Sequence, residues 1–317
     1  MAMNRVQFQP GLSMPEFMAR YGTEAQCEDA VCASRWPEGY SCMRCGCSVN
    51  SSFRREGSLY YQCSACRYQC SPISRTVFGA TKLPLRLWFL AMHLLTQSKN
   101  NVAALELMRH LGVSYRSAWL MKHKLMQVMY LRELPRKLTG RVEIDDAYLG
   151  GERSGGKPGR GSENKVPFVA AVQTTESGQP QLMCLSLQPF TKEAMETFFA
   201  RSLMLPLTLV SDGLACFEVA GDSGAHHDRH VTGGGKDCVK LPQFRAVNNV
   251  LGNLKMALTG TYHAFDFQKY AHRYLAEAQY RFNRRFNLRS ILPRLLRAAC
   301  LTEPHTREVI RAAEVGA

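Results

Sequence analysis

The chain has 317 residues, enough for about two or three domains, and its 45% hydrophobic content allows a sizeable core. Its 40 Lys and Arg residues outnumber 26 Asp and Glu residues, and the formal net charge of +14 favours a polyanionic partner such as nucleic acid. No apolar run reaches the roughly 18 residues of a membrane span, and the opening residues lack the apolar core of a secretory signal. These features argue against a membrane partner and predict a cytoplasmic protein.

A cluster of cysteines occupies the N-terminal region, where eight of the twelve lie between Cys27 and Cys70. In a reducing compartment, clustered cysteines favour metal ligands over disulfides. Two Cys-x-x-Cys motifs enclose residues 46–62, and this spacing predicts a zinc ribbon in which two knuckles present four thiolates to one structural Zn²⁺. Cys47, Cys70 and the looser pair Cys27 and Cys32 are left outside the ligand set, and free or redox-active thiols are the alternative to a zinc site. The predicted ligands are Cys42, Cys45, Cys63 and Cys66.

Residues 83–133 carry helical patterns, and they contain the outline of a helix-turn-helix. A first helix is predicted to end near His110, a short glycine-containing turn follows, and Ser114 can cap the start of a second helix. The second helix would present cations to DNA, and an ordinary helical hairpin with solvated lysines is the alternative. The predicted DNA contacts in it are Arg116, Lys122 and Lys124.

From Arg141 the pattern becomes strand-like. Three strands with a hairpin are predicted, followed by a helix, a short strand that ends at Asp212, and the start of another helix. This order favours an α/β domain with a mixed sheet. A polar, basic, glycine-rich loop at residues 152–165 separates two of the strands, and its Lys157 and Arg160 are predicted to contact DNA phosphates. A basic helix and an arginine-bearing tail follow the α/β pattern.

Two strand-like runs end in aspartates, which makes these residues candidate metal ligands. Asp145 and Asp146 end the first strand and Asp212 ends a later one, so carboxylates from both strands can meet at one edge of the sheet. Because side chains alternate along a strand, Asp145 and Asp146 are not expected to face the same site, and Asp146 is kept in reserve. Carboxylate oxygens suit Mg²⁺ or Mn²⁺, and two such ions sharing an aspartate would support phosphodiester cleavage. A turn or helix cap is the alternative role for a single aspartate after a strand.

Several segments together resemble the transposases of bacterial insertion-sequence family 1595, and the resemblance covers nearly the whole chain. The segments are FQPGLSMPEFMARYG, RWPEGYSCMRCG, YYQCSACRYQ, VEIDDAYLGG, SDGLACF, VTGGGK, AVNNVLGNLKMALTGTYHAF and RYLAEAQYRFNRRFNL. The resemblance implies a zinc ribbon ahead of a DDE-type, ribonuclease-H-like catalytic domain. It also implies DNA transposition, in which water nicks the element ends and the freed 3′-OH attacks target DNA, and it implies an oligomer on double-stranded DNA.

The resemblance matches Asp145 to the first catalytic aspartate and Asp212 to the second, and it places Asn248 where many relatives have a third acid. Lys255 follows seven residues later, nearly two helical turns, which puts both side chains on one helix face. The amide oxygen of Asn248 can bind a metal ion without adding negative charge, and Lys255 is assigned to DNA phosphate.

Two alternatives to Asn248 as the third member are open. Asn248 or Asn249 could simply cap the start of its helix. Glu277 is a rival third carboxylate, although Arg273 and Arg281 lie four residues away on either side and favour an intrahelical ion pair.

The predicted architecture has four parts. They are a zinc ribbon at residues 1–75, a helix-turn-helix-like DNA-binding region at 76–136, a ribonuclease-H-like domain with a mixed sheet at 137–290, and a basic C-terminal helix or tail at 291–317. The predicted protein is a nucleoid-associated transposase that binds terminal inverted repeats and carries out Mg-dependent DNA cleavage and strand transfer. A related nuclease without strand transfer and a catalytically dead zinc-ribbon DNA-binding protein are the alternatives.

Overall fold

The computed structural model describes residues 4–150, 165–231, 241–262 and 266–313. The chain divides into two compact units, of which the first combines residues 1–128 with 284–314 and the second contains residues 129–283. None of the helices within the described ranges is long and apolar enough to cross a membrane.

Both units mix helices and strands. The helices are α1 (Met14–Tyr21), α2 (Glu24–Arg35), α3 (Leu85–Gln97), α4 (Ala104–Leu111), α5 (Tyr115–Glu133), α6 (Lys192–Ser202), α7 (Val219–Asp222), α8 (Arg245–Thr261), α9 (Phe267–Phe282), α10 (Ile291–Leu301) and α11 (Arg307–Ala312). The strands are β1 (Asn50–Arg55), β2 (Ser58–Cys63), β3 (Gln69–Cys70), β4 (Leu138–Leu149), β5 (Val166–Thr174), β6 (Pro180–Leu187), β7 (Leu203–Ser211) and β8 (His226–Arg229).

Local capping starts the first helices of the first unit. The hydroxyl of Ser13 accepts the N–H of Glu16 at 3.3 Å, and the Glu16 carboxylate accepts the N–H of Ser13 in return, which forms a capping box at α1. α3 begins after a proline and has no cap of its own. The carboxylate of Glu24 in α2 supplies one, because it accepts the N–H groups of Leu85 at 2.6 Å and Arg86 at 3.1 Å.

The helical hairpin predicted around His110 is formed by α4 and α5. α4 ends at Gly112, whose φ of +64° is the left-handed conformation that glycine adopts without strain. The hydroxyl of Ser114 accepts the N–H of Ser117 at 3.2 Å and so caps the start of α5.

The C-terminal segment belongs to the core of the first unit. α10 packs against α2 and α3. The N–H of Val77 donates to the carbonyl of Ala299 at 3.2 Å, and the guanidinium of Arg297 donates to the carbonyl of Ser34. The apolar face of α10 is buried through Ile291, Leu292, Leu295, Leu296, Ala298, Ala299 and Cys300. The described part of the predicted C-terminal helix or tail therefore contributes to the core of the first unit.

The second unit is built on a five-stranded mixed sheet in the order β6-β5-β4-β7-β8. β6, β5 and β4 are antiparallel neighbours, whereas β7 and β8 run parallel to β4. This confirms the predicted fold class of a zinc ribbon, a helical region and a ribonuclease-H-like domain with a mixed sheet. β8 is not among the strands predicted from the sequence.

Side chains alternate along β4, so its two faces contact different parts of the second unit. Val142 and Ile144 belong to the apolar core that α6 covers with Met195 and Phe198. The opposite face carries Glu143 and the adjoining odd-numbered residues, and α8 packs against β4 and β5. The buried apolar residues of α8 are Ala246, Val247, Val250, Leu251, Leu254 and Leu258.

Side chains of α9 and of the residue after it close the outer edge of the sheet. Met183 and Leu185 of β6 donate their N–H groups to the side-chain oxygens of Asn283 and Gln279, both at 2.8 Å. Asn283 in turn donates to the carboxylate of Glu133 at 2.7 Å. These contacts satisfy edge N–H groups that could otherwise pair with another strand.

Candidate active site

Asp145 in β4 and Asp212, directly after β7, lie level with each other on neighbouring parallel strands. β4 continues past its aspartates to Leu149, so the prediction that they end this strand is wrong. The register pairs Glu143 of β4 with Val210 of β7, and two more residues along each strand lead to the two aspartates. Because parallel strands run in the same direction, both carboxylates come to the same edge of the sheet. The sheet thus brings together the residues that the strand pattern singles out.

Asp146 also belongs to this cluster, so the expectation that it faces away from Asp145 is wrong. Asp145, Asp146 and Asp212 each place one oxygen within 4.8 Å of the others. β4 pairs with β5 as far as Leu149, but its pairing with β7 ends at Glu143. The three carboxylates therefore meet beside the stretch of β4 that lies beyond its last pair with β7.

The electrostatic environment of Asp145 suits a cation. Burial, with the negative charges of Asp146 and Asp212, raises the pKa of its carboxyl group to about 7. The N–H of Asp146, 2.9 Å from an Asp145 oxygen, and the ammonium of Lys255 oppose this shift with smaller effects. Carboxylates held this close repel one another, and a divalent cation with a preference for oxygen ligands would relieve the repulsion. The residues present therefore fit Mg²⁺ or Mn²⁺.

The turn after β7 fixes the position of Asp212. One oxygen of Asp212 accepts the N–H of Leu214 at 3.1 Å, and the hydroxyl of Ser211 accepts the N–H of Gly213 at 3.2 Å. Gly213 has a φ of +85°, and a Cβ atom there would lie 2.7 Å from Nε of Arg229, so the turn requires glycine. Asp212 therefore has the turn-capping role that was its alternative, in addition to its place in the acidic cluster.

Asn248 is the fourth residue of α8, and Lys255 follows two turns later. The N-cap position is occupied by Phe244, so the alternative in which Asn248 or Asn249 caps the helix is wrong. Asn248 is half-buried and Lys255 is exposed. The ammonium of Lys255 is close enough to lower the pKa of Asp145, which places this cation near the acidic cluster.

Two further residues lie beside the site and are not among the predicted site residues, Arg141 and Glu143. Glu143 is 1% exposed, and its carboxylate contacts both the Arg141 guanidinium and the first turn of α8. The available signal was an acidic residue inside an otherwise apolar strand, two positions before Asp145 and hence on the same face.

Glu277, the rival third carboxylate, is buried in α9, where its Oε2 accepts a hydrogen bond from the hydroxyl of Tyr262 at 3.1 Å. Among the described residues, the acidic group that could hold a metal ion consists of Asp145, Asp146 and Asp212. Glu277 lies outside this group.

The four cysteines predicted as zinc ligands come together in the ribbon. Their sulfur atoms lie within 4.8 Å of one another, with 3.6 Å between Cys42 and Cys66 and 3.5 Å between Cys45 and Cys63. Cys47 is outside this group. Four sulfurs at this spacing suit a closed, tetrahedral structural Zn²⁺ site.

The backbone of each knuckle forms a tight turn around its cysteines. The N–H of Gly46 donates to the carbonyl of Cys42 at 2.8 Å, and the N–H of Arg67 donates to the carbonyl of Cys63 at 3.1 Å. Burial opposes ionisation of Cys42, but N–H groups that include that of Arg44 outweigh it and lower the pKa of this thiol to about 6. A thiol that ionises easily is a ready zinc ligand.

The predicted DNA contacts differ in their accessibility. Arg116 is exposed near the start of α5. Lys122 is fully buried, and its ammonium donates to the carbonyl of Val102 at 2.5 Å, so the prediction that it contacts DNA is wrong. The face of α5 that carries Lys122 is buried, and the lysine binds a backbone carbonyl of the loop that precedes α4. Lys124 is half-buried, and burial lowers its pKa. Lys157 and Arg160 lie outside the described residues.

Comparison with known proteins gives matches in both units. Residues 137–283 match the ISXO2-like transposase domain, and residues 22–69 match the transposase zinc-ribbon domain. The chain is also 25% identical, over 232 residues, to an uncharacterized protein in transposable element ISH50 of Halobacterium salinarum. That alignment covers 67% of this chain and 75% of the relative. The first match contains the acidic cluster, and the second contains the four ribbon cysteines.

Proposed function

Because the chain belongs to the transposases of insertion-sequence family 1595, we propose that it cleaves DNA at the ends of its element and joins the freed strands to target DNA. Asp145, Asp212 and Asn248 are the proposed metal ligands, Asp146 is a further acidic neighbour, and Lys255 is the proposed phosphate contact. The observation that carries the proposal is the acidic cluster formed by Asp145 and Asp146 of β4 with Asp212 directly after β7, with three carboxylate oxygens within 4.8 Å of one another.

The proposed chemistry exchanges one phosphorus–oxygen bond for another in each step. Two Mg²⁺ or Mn²⁺ ions bound by the cluster would supply activation of the attacking oxygen and stabilisation of the leaving oxygen. In cleavage, water bonds to phosphorus and the 3′-oxygen leaves as a 3′-OH. In strand transfer, that 3′-OH bonds to a target phosphorus and the target's 3′-oxygen leaves with a proton. Lys255 would offset the negative charge of the phosphate, and Asn248 would add a neutral oxygen to the ligand set.

DNA recognition is assigned to the first unit. The zinc ribbon and the α4–α5 hairpin would bind the terminal inverted repeats, with the exposed Arg116 as a phosphate contact. The net charge of +14 supports sequence-independent attraction to double-stranded DNA at the nucleoid. Since transposition joins two DNA ends, the active form would be a homo-oligomer on DNA.

A strand-transfer assay tests the proposal. Full-length protein is given a pre-nicked element end and a target plasmid with Mg²⁺ or Mn²⁺, and joined product is measured. We expect Asp145→Asn and Asp212→Asn to abolish joining, while Asp222→Asn, an exposed aspartate at the end of α7, leaves it unchanged. Cleavage without joined product would instead indicate a nuclease. DNA binding with no metal-dependent chemistry would indicate a catalytically dead DNA-binding protein.

The same assay decides between the two candidates for the third ligand. If Asn248 binds a metal ion, Asn248→Ala raises the Mn²⁺ concentration needed for half-maximal joining, and Glu277→Gln does not. The reverse result would assign the site to Glu277.

A further inference from the structure

Glu143 is a buried charged residue that takes no part in the proposed chemistry. It stands two residues before Asp145 on the same face of β4 and is 1% exposed. A carboxylate removed from water in this way must be paired and hydrogen-bonded, or it would cost several kcal/mol. The groups that donate hydrogen bonds to this carboxylate therefore indicate its role.

The partners of Glu143 tie β4 to the start of α8. Oε2 accepts the N–H groups of Ala246 at 2.8 Å and Val247 at 3.0 Å, which are donors in the first turn of α8. Oε1 accepts from Nη1 of Arg141 at 2.6 Å. Arg141 also donates to the carbonyl of Gln243 at 3.1 Å, just ahead of the helix. Strand and helix are thus joined through two side chains and three backbone groups.

α8 depends on this contact because it has no side-chain cap of its own. Its N-cap residue is Phe244, which makes no capping hydrogen bond, and its first turn carries no acidic residue. Glu143 supplies both the acceptor and the negative charge that a helix N-terminus favours. Glu143 is not one of the three carboxylates that could hold a metal ion together, although Asp145 is its neighbour on the same face.

We infer that Glu143 is a positioning residue that fixes α8 so that Asn248 and Lys255 face the acidic cluster. Asn248 follows the two anchored N–H groups directly, about 3 Å along the axis from Ala246, so a shift of the first turn moves it directly. Arg141 holds the Glu143 carboxylate in place from the other side. This inference rests on the proposed function for its effect on activity, but the anchoring itself can be measured without DNA.

The test compares Glu143→Gln with Glu196→Gln, a matched change at an exposed glutamate of α6. Glutamine keeps the size of the side chain but removes the charge. It also places an NH₂ group, itself a donor, against either the N–H groups of α8 or the guanidinium of Arg141. In metal-free full-length protein, we expect Glu143→Gln to speed amide hydrogen exchange at residues 245–250 and to leave exchange in β4 and β5 unchanged. The Glu196→Gln variant should match the unmodified protein.

Activity provides the second measurement. We expect joining by Glu143→Gln to be slower by about 10- to 100-fold, with a higher Mn²⁺ concentration for half-maximal rate and unchanged DNA affinity. Loss of folded protein would lower the rate without changing the Mn²⁺ requirement. Glu143→Asp keeps the charge but shortens the side chain by one methylene, and it should show the same shift in Mn²⁺ requirement. This variant replaces Glu143→Gln in the test if the glutamine variant folds poorly.

Unchanged exchange at residues 245–250, or an unchanged Mn²⁺ requirement in both variants, would overturn the inference. If the unmodified protein shows no metal-dependent joining, the proposed function fails. The exchange measurement and a direct Mn²⁺ titration of the DNA-free protein then still decide whether Glu143 holds α8 in place.

Discussion

Glu143 and Asp145 stand two residues apart on the same face of β4, and their partners give them different roles. The oxygens of Glu143 are occupied by Arg141 and the start of α8, whereas Asp145 faces two other carboxylates. Strand pattern is enough to predict Asp145 and Asp212, because both end apolar runs. It does not predict that Asp146 joins them, because alternation along a strand places neighbouring side chains on opposite faces.

His272 in the second unit makes a testable contribution to stability. Burial, with the nearby charge of Arg273, lowers its pKa from 6.5 to about 4. Above pH 6.5 the residue is neutral in the folded and unfolded states. As the pH falls toward 4, the unfolded state binds a proton that the folded state does not, so the free energy of unfolding decreases, by at most about 1.4 kcal/mol per pH unit.

The measurement is urea unfolding followed by circular dichroism between pH 4 and pH 8. His272→Gln is expected to lose stability less steeply than the unmodified protein as the pH falls below 6.5. His226→Gln, at an exposed histidine, should keep the original slope. Equal slopes in all three proteins would contradict the assigned effect.

Elements were predictable where their side chains carry a pattern. β4 and β7 are apolar runs, and β5 and β6 flank a turn, so all four could be found in the sequence. β8 has the sequence His-His-Asp-Arg and none of the apolar residues that mark a strand. It is a strand because its backbone pairs with β7, for example His227 with Leu209, and backbone pairing leaves no signature in the residue types.

The folded structure of the zinc ribbon should depend on bound Zn²⁺, whereas the sheet of the second unit should not. We expect purified protein to hold about one Zn²⁺ per chain and Cys63→Ser to lose it, because three thiolates leave the tetrahedral site incomplete. Amide exchange should then rise in β1 and β2 and stay unchanged in β4 and β5. Cys47→Ser is the matched control, since this cysteine lies outside the ligand group. Zinc retained by Cys63→Ser would contradict the assignment.

For the whole molecule, the boundaries of the two units could not be predicted from changes in composition. The four predicted parts follow such changes, but composition carries no information about which distant segments pack together. Leu292 and Leu295 have the helical spacing of an apolar face, yet only the fold shows that the face covers α2 and α3. Arginines within the same segment favoured its description as a basic C-terminal helix or tail.

Removal of everything after Asn283 tests this packing. The truncated chain lacks α10 and exposes apolar surface of α2 and α3, so we expect fast amide exchange in those two helices. Exchange in β4 and β5 should be unchanged, because these strands belong to the second unit. Truncation only after Thr302, which keeps α10, is the control. Slow exchange in α2 and α3 of the shorter chain would show that α10 does not support them.

The charge of the molecule predicts salt-dependent DNA binding. The logarithm of affinity should fall linearly with the logarithm of salt concentration, with a slope of about −0.9 per phosphate contact. Arg116→Ala should make the slope shallower by about the contribution of one phosphate contact. Lys122→Met should leave the slope unchanged, because this lysine is buried. A shallower slope for Lys122→Met would place that side chain on DNA after all.

The position of α10 also sets an order of events during protein synthesis. A ribosome makes the whole of the second unit before it reaches the helix that completes the first, and residues 284–313 take about 2–6 s at about 5–20 residues per second. Throughout that interval the second unit has been synthesised, whereas the first still lacks the helix that packs against α2 and α3. Completion of the first unit therefore waits for translation of α10, although the sequence of this unit began to emerge first.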